Sequence, residues 1–398
     1  MSGAPTDLPA LRIPPPAFLA DPGLAAVLAA LPEARVVGGA VRDTLAGRPV
    51  AEIDLATPLT PEAVAKALEA SGIRAVPTGL EHGTVTAVAD GRGFEITTLR
   101  RDVETDGRHA VVTFTEDWRA DAARRDFTIN AMSMTRLGEV FDYFGGIADL
   151  RAGIVRFVGD PATRIAEDYL RILRYFRFFA GYAGSAADPA ALAAVRAGVP
   201  GLARLSAERV WGELARILAA PDPRAAVALM GELGVLPAVL PEGSDPAPLA
   251  SLVEAGAPAD PILRLAALLT GDAAALAARL RLSAADRDRL AALRRGPVPR
   301  PGDEDPALRR LLADEPAEPL IGRTWLAGGA APDWVALRAR LAAMPRPVFP
   351  LEGRDVLALG EPEGPRVGNL LRAVRQWWRD GGCAADKEAC RAELMRRM

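Results

Sequence analysis

The spacing of hydrophobic and polar positions changes once along this chain, near residue 150. Before that point, short β-branched runs alternate with short helical ones. RVV (35–37) predicts a strand, and VRDTLAG (41–47) predicts the start of a short helix. EIDLAT (52–57) is strand-like. TPEAVAKALEASG (60–72) has a Thr in the capping position, an amphipathic body and a closing Gly, which together mark a helix. TVTAVA (84–89) and FEITTL (94–99) alternate with period two, as half-buried strands do. Beyond 150 the strand signals fade. EDYLRILRYFRFFAGYA (167–183), SAERVWGELARILAA (206–220) and PRAAVALMGELGVL (223–236) keep helical spacing. More helical stretches follow at 262–295 and 330–344, separated by Pro/Gly-rich breaks such as 237–248 and 296–306. The pattern predicts a mixed α+β head followed by an all-helical remainder. No fixed-period repeat accompanies the Ala/Leu/Arg bias, so a regular solenoid is not indicated.

Composition narrows this picture. The 398 residues exceed what one hydrophobic core supports, so two or more domains are expected. Half the residues are apolar and a quarter charged, which excludes a disordered chain. The 48 basic and 51 acidic residues exclude a uniformly basic nucleic-acid coat, so any polyanion must meet a local patch. The strongest such patch lies at 279–300, where seven Arg face only Asp286 and Asp288. Arg279, Arg287, Arg294 and Arg295 within it are the RNA-binding candidates, because a patch of this kind displaces counterions from phosphates. Trp377 and Trp378 offer faces for RNA stacking, or alternatively a core role. Cys383 and Cys390 cannot make a disulfide framework and match no common zinc spacing. The Pro-rich N-terminal stretch lacks a basic segment followed by an apolar one, and no apolar run is long enough to span a bilayer. A soluble, cytoplasmic protein without a membrane partner is expected.

Two constellations in the head carry chemistry. In GGAVRD (38–43) a strand ends in two Gly and a helix opens. There the backbone at Gly39 can approach a phosphate without Cβ obstruction, and Arg42 on the first turn can reach it. Glu52 and Asp54 stand two apart on a predicted strand, so their side chains share a face. Glu95 on a later strand offers a third carboxylate. Hard divalent cations prefer such oxygens, and Mg²⁺ is the expected ion, as a two-metal site; solvent-facing acids on an exposed strand are the alternative.

These residues also carry a family resemblance. VGGAVRD, the carboxylate-x-Asp at 52–54, RRDFTINAM (124–132), DYFGGIADL (142–150) and EDYLRILRYFRF (167–178) resemble the bacterial class II CCA-adding tRNA nucleotidyltransferase and poly(A) polymerase family. The resemblance covers about 20 to 220 strongly, and extends more loosely through GRD (353–355) and GPRVG (364–368). It implies a polymerase-β-like nucleotidyltransferase head over 21–150 after a Pro-rich lead-in (1–20). It further implies a helical neck (151–222), a body (223–345) and a tail (346–398), the latter two holding tRNA. Carried over by position, it makes Gly39 and Arg42 triphosphate contacts and makes Glu52 and Asp54 the metal ligands, with Glu95 in the catalytic set. Arg125, Asp126 and Asn130 would meet the incoming nucleotide and its ribose, and DYFGGIADL would be the hinge between head and neck. One departure stands out: the family usually has Asp-x-Asp, and here Glu52 extends the first carboxylate by roughly 1–1.5 Å.

The neck segment explains how a protein can choose bases without a template. On a helix, Asp168 and Arg171 are neighbours at i, i+3. Cytosine and adenine both present an amino donor beside a ring-nitrogen acceptor, whereas guanine and uracil reverse that order. A carboxylate beside a guanidinium complements the first pattern and repels the second. The family assigns this role to the pair, and Arg174 and Arg177 would then hold phosphates or the primer end. The long charged stretch 100–114 resembles the family's flexible loop, in which His109 is read as a loop hydrogen-bonder. The implied activity is two-metal addition of C, C and A to the tRNA 3′ end from CTP and ATP, with no obligate protein partner. Three alternatives remain: a poly(A) polymerase, an A-adding enzyme, or a weakly catalytic RNA- or nucleotide-binding protein that has lost metal binding through Glu52. With only His82 and His109 in the chain, no His-Asp phosphohydrolase domain is expected.

Overall fold

The period-two segments of the head assemble into one mixed sheet. The computed structural model describes residues 7–79, 83–105, 110–184 and 187–398, in two compact units, 1–239 and 240–398. The strands of the first unit, in chain order, are β1 (Leu11–Arg12), β2 (Arg35–Val37), β3 (Asp54–Thr57), β4 (Arg74–Gly79), β5 (Thr84–Ala89), β6 (Arg92–Thr98), β7 (Arg100–Thr105), β8 (Ala110–Phe114), β9 (Met132–Met134) and β10 (Glu139–Asp142). Eight of them pair in the order β1-β10-β9-β2-β3-β6-β5-β4, while β7 and β8 form a separate hairpin. Every neighbour in the larger sheet is antiparallel except β3 and β6, which run parallel.

Helices α1 (Pro22–Ala30), α2 (Gly39–Leu45) and α3 (Pro61–Ala70) are interleaved with these strands. Leu24, Val27 and Leu28 of α1 and Val64 and Leu68 of α3 pack with Leu55, Val85, Phe94 and Ile96 of the sheet into one buried core. Alternation along β3 and β6 therefore turns Asp54 and Glu95 away from that core. The Thr60 hydroxyl accepts from the Ala63 N–H at the start of α3, as its capping position predicts.

One strand bound is corrected here, and two further stretches are given their place. The strand read over 52–57 begins only at Asp54, leaving Glu52 in the preceding connection. Its partner β2 ends at Val37, opposite Asp54, because Gly38 (φ +66) turns the chain into α2; on that side β2 offers Glu52 no partner. The lead-in is not all outside the fold, since Leu11 and Arg12 pair with Val140 and Glu139 at the sheet edge. The stretch 100–114 is mostly a hairpin, registered from Arg100 opposite Phe114 to Thr105 opposite Ala110. His82 and His109 lie outside the described residues.

Past the sheet the first unit is helical: α4 (Trp118–Ala123) lies before β9, and α5 (Gly146–Ala152), α6 (Pro161–Glu167), α7 (Leu170–Tyr182), α8 (Pro189–Gly198), α9 (Ala207–Leu218), α10 (Arg224–Glu232) and α11 (Val235–Val239) follow β10. Gly146 opens α5 where a Cβ would sit 2.2 Å from the Thr128 carbonyl oxygen, so the Gly in DYFGG is a packing requirement. The single helix expected over 167–183 is two. Asp168 adopts extended backbone (φ −155°, ψ 108°), and its carboxylate accepts the Leu170 N–H at 3.0 Å. An Asp that caps the following turn competes with continuing the preceding helix. Phe127, Phe157, Tyr175 and Phe178 cluster beneath α7, with the Phe157 and Tyr175 rings stacked at 5.9 Å.

The second unit comprises α12 (Pro246–Glu254), α13 (Pro261–Leu268), α14 (Ala273–Arg279), α15 (Ala284–Arg294), α16 (Asp305–Asp314), α17 (Ala317–Gly328), α18 (Pro332–Ala343), α19 (Gly353–Leu357), α20 (Pro365–Asp380) and α21 (Lys387–Arg397). Asp and Ser caps and first-turn Pro recur at their starts, as at Asp260, whose carboxylate accepts the Leu263 N–H. Among the described residues no helix is long and apolar enough to cross a membrane.

Candidate active site

Parallel pairing of β3 with β6 sets Asp54 directly opposite Glu95, so the third candidate carboxylate arrives by register. All three acids, Glu52, Asp54 and Glu95, are solvent-exposed. The Asp54 carboxyl is pushed above its ordinary value, first by partial burial, then by Glu95, then by Glu52, while Arg125 pulls it down. Like charges gathered this way are costly until a cation neutralises them. Among the described residues no three acidic, His or Cys side chains are gathered closely enough to complete a ligand set by themselves.

Arg125 covers the turn at the end of β2. At Gly38 a Cβ would lie 3.0 Å from Arg125 Nη1, and the positive φ is one that other residues rarely adopt. Arg125 is anchored on Asp121 (Nη2 to Oδ2, 3.3 Å) and on the Asn130 carbonyl (3.4 Å). Burial raises the Asp121 carboxyl, but Arg124 and Arg125 more than offset this and hold it low.

Arg42 is buried and heavily bonded. Its Nε and Nη2 donate to the two Asp43 carboxylate oxygens at 3.0 Å each, and Nη1 donates to Asn130 Oδ1 at 2.6 Å. The Asn130 amide in turn donates to Asp126 Oδ1 at 3.1 Å, and Arg174 Nε donates to Asp126 Oδ2 at 2.7 Å. Asp126 feels strong burial, yet Arg174 and Asn130 hold its carboxyl below the usual range. Arg42, Asp126, Asn130 and Arg174 thus form one chain linking α2, the segment after α4, and α7. Gly39 stands at the head of α2, beside Arg42.

The base-reading pair is arranged differently from expectation. The side chains of Asp168 and Arg171 each bond another partner, although the Arg171 N–H donates to the Asp168 carbonyl at 3.0 Å, because the Asp168 backbone is extended and its carboxylate turns to the Leu170 N–H. Asp168 Oδ2 accepts from Arg209 Nη2 at 2.7 Å. Arg171 Nη1 donates to Glu167 and, at 2.8 Å, to the Arg164 carbonyl. Arg177 lies 4.3 Å from the Phe178 ring centre and bonds Glu213 at 2.7 Å. Arg174 and Arg177 are therefore engaged by protein carboxylates. Sequence reasoning missed Arg209 and Glu213 of α9, Asp121, and Tyr182 of α7. The i, i+4 spacing of Arg209 and Glu213 was visible; that they face α7 was not.

The RNA-binding candidates of the second unit fare unevenly. Arg279 is held by Glu242 through Nε (2.6 Å) and Nη2 (2.8 Å). Arg294 donates to the carbonyls of Ala266, Leu269, Thr270 and Gly271, closing the end of α13. The Arg287 side chain bonds its neighbour Asp288, and Arg287 and Arg295 are exposed. Arg289 meets Asp260 and Glu318, acids distant in sequence that the local charge count could not include. Trp378 is buried against Phe349 at 5.6 Å, in a core with Cys383, Cys390 and Leu394, which settles its role as packing.

Comparison with known proteins gives the following. Residues 34–156 match the family model described as the poly A polymerase head domain, and 187–245 the one described as a probable RNA and SrmB-binding site of polymerase A. The mitochondrial CCA tRNA nucleotidyltransferase 1 of Mus musculus is 35% identical over 378 residues, covering 89% of this chain and 85% of its own. A CCA-adding enzyme of Anoxybacillus flavithermus is 40% identical over 212 residues, 53% of this chain and 52% of its own. The crystal structure of the Bacillus stearothermophilus CCA-adding enzyme in complex with CTP superposes with a TM-score of 0.73 at 28% identity, covering 95% of this chain and 98% of that one.

Proposed function

The chain belongs to the CCA tRNA nucleotidyltransferase family, and from that premise we propose that it adds C, C and A to the 3′ end of tRNA from CTP and ATP, without a nucleic-acid template. The observation that carries this reading is the in-register pairing of Asp54 with Glu95 on the open side of the sheet, with Arg125 within electrostatic reach of Asp54 and against Gly38.

Carboxylates set near one another, with Asp54 raised by burial and then by Glu95 and Glu52, suit a dication, so Glu52 and Asp54, with Glu95 as a third, would hold Mg²⁺. An ion that keeps several waters fits acids that do not complete a ligand set alone. When bound it supplies Lewis-acid polarisation at phosphoryl oxygens. Glu52 stands outside the strand, yet its charge still raises the Asp54 carboxyl, after burial and Glu95. This supports an active enzyme over a binding module disabled at that position. A cytoplasmic location stays part of the same proposal.

In the reaction, the tRNA 3′-hydroxyl attacks the α-phosphorus of the nucleotide and pyrophosphate leaves. Arg42 and Arg125, with the backbone at Gly39, would bind the triphosphate. Asn130 and Asp126 would meet the ribose. Asp168 would accept from the exocyclic amino group of cytosine or adenine, and Arg171 would donate to the adjacent ring nitrogen. Guanine or uracil would set a carbonyl against the carboxylate and an N–H against the guanidinium. Both side chains have donors or lone pairs left after their present bonds, since a carboxylate offers about four acceptor sites and a guanidinium five N–H groups.

The test is incubation with tRNA ending at its discriminator base, each nucleoside triphosphate supplied separately and together, followed by sequencing of the products. Two C and then one A is the expected product. Runs of A would select the poly(A) polymerase reading, and A added only to tRNA already ending in CC the A-adding one. Tight nucleotide binding without incorporation would select the binding module.

A further inference from the structure

We infer that Tyr182, on the last turn of α7, is a positioning residue that fixes the Arg42 guanidinium for the triphosphate. The inference rests on the functional reading above and deepens its phosphate end. Arg42 has five N–H groups. Two are fixed on Asp43 and one on Asn130, which leaves at most one on each terminal nitrogen. What keeps this arrangement in a single orientation is not on α2. The Tyr182 hydroxyl donates to Asp43 Oδ1, the same oxygen that accepts from Arg42 Nε. The Tyr182 ring centre lies 4.4 Å from the Arg42 guanidinium carbon, and that of Phe178, one helical turn earlier, lies 5.1 Å from it.

Tyr182 is itself pinned. Its ring meets Arg48 at 4.3 Å, and Arg48 also donates to the adjacent Gly181 carbonyl. Burial, followed by the Asp43 hydrogen bond, raises the phenol, so it stays protonated and remains a donor. The consequence is mechanical. Asp168 and Arg171, the base-reading residues, flank the start of α7, and Tyr182 closes its end. One 13-residue helix, roughly 20 Å long, therefore ties the place where the base is read to the group that meets the phosphates. A guanidinium confined between ring faces and a bidentate carboxylate has little rotamer freedom to lose when a phosphate arrives.

The experiment measures equilibrium binding of CTP and of CMP to the full-length protein and to Tyr182→Ala and Tyr182→Phe, with steady-state kinetics alongside. Tyr182→Ala is expected to weaken CTP about tenfold while changing CMP less than about threefold, since only CTP carries the phosphates that Arg42 reaches. In kinetics the loss should appear in KM for both CTP and ATP, with kcat nearly kept. Tyr182→Phe, which keeps the ring and loses only the hydroxyl, should recover most of the CTP affinity, leaving a deficit of about two- to fourfold. If Tyr182→Ala does not fold, the Tyr182→Phe deficit, present for CTP and absent for CMP, carries the test alone. Unchanged CTP affinity in the variants, or equal losses for CTP and CMP, would overturn the inference while leaving the functional reading intact. A wild-type protein that binds GTP as well as CTP would bring down both.

Discussion

The Arg side chains of the candidate site in the first unit and a set of Arg side chains in the second have different partners. In the first, Arg side chains meet carboxylates: Arg42 with Asp43, Arg125 with Asp121, Arg174 with Asp126, Arg177 with Glu213 and Arg209 with Asp168. In the second, some Arg side chains do the same, as Arg279 with Glu242 and Arg289 with Asp260 and Glu318, but others close the ends of helices. Arg294 does so for α13. Arg323, almost wholly buried, donates to the Ala292 and Arg295 carbonyls at the end of α15. Arg338 donates to the Gly329 carbonyl just past α17 and lies 3.5 Å from the Trp325 ring centre. Arg309 and Arg310 reach the Gly382, Arg379 and Asp380 carbonyls after and at the end of α20. The last four carbonyls of a helix have no partner within it, and a guanidinium answers both their hydrogen-bonding need and the negative end of the dipole. An Arg cluster in a helical sequence is therefore poor evidence for RNA binding until its partners are known.

This contrast can be broken experimentally, and the largest effect should fall in the first unit. Asp54→Asn should lower nucleotide addition by 100-fold or more, on the order of what loss of one electrostatic catalytic group costs. It should also raise the melting temperature of the metal-free protein, because the burial cost of the Asp54 charge and then its repulsion with Glu95 and Glu52 disappear. The pH dependence follows from the sign of that shift. A carboxyl raised in the folded state favours folding while protonated. That contribution is present below the ordinary carboxyl range and is lost as pH rises through the raised value. Urea titrations across that interval should show the metal-free wild type weakening relative to Asp54→Asn, while its activity increases as the carboxylate forms. Parallel stability curves would contradict the assignment.

Next comes base choice. Asp168→Ala should cost CTP and ATP roughly 10- to 100-fold in kcat/KM and narrow the margin over GTP and UTP, since a bidentate base contact is worth about 1–3 kcal/mol. An unchanged ratio would remove Asp168 from base reading. Arg209→Ala should move the same ratio less, because Asp168 keeps its bond from Leu170.

In the second unit Arg323→Ala should cost about 1–3 kcal/mol of stability, by denaturant unfolding, through carbonyls and Glu315 left without their partner. Its KM for nucleotides should not move. Arg294→Ala should likewise lower stability, with little change in the salt dependence of tRNA binding; a slope reduced by about one would restore it as a phosphate contact. The smallest effect belongs to Glu52→Asp, expected within a few-fold of wild-type activity, since charge and donor type are kept. A large gain would mean that the natural Glu impairs the site.

Some of this organisation was written in local pattern. The six residues of β5 match the alternating run at 84–89, the Thr60 cap stands where its residue type and the following Pro indicate, and the change from period two to helical spacing near 150 marks the last strand of the sheet. The chemical types at 38–43, 52–54, 124–130 and 167–177 were equally legible, because cradling phosphates, gathering carboxylates and reading base edges each demand particular side chains at short range.

What sequence by itself determined were thus the elements and the inventory of reactive groups, since both depend on neighbours within a few residues. Only the tertiary structure decided which groups meet. Parallel pairing carried Glu95 to Asp54 across 41 positions, the start of β3 at Asp54 left Glu52 in the connection, and a break at Asp168 gave that residue's carboxylate to Arg209. Each outcome was set by register or by packing between segments far apart in the chain, and local periodicity carries no information about either.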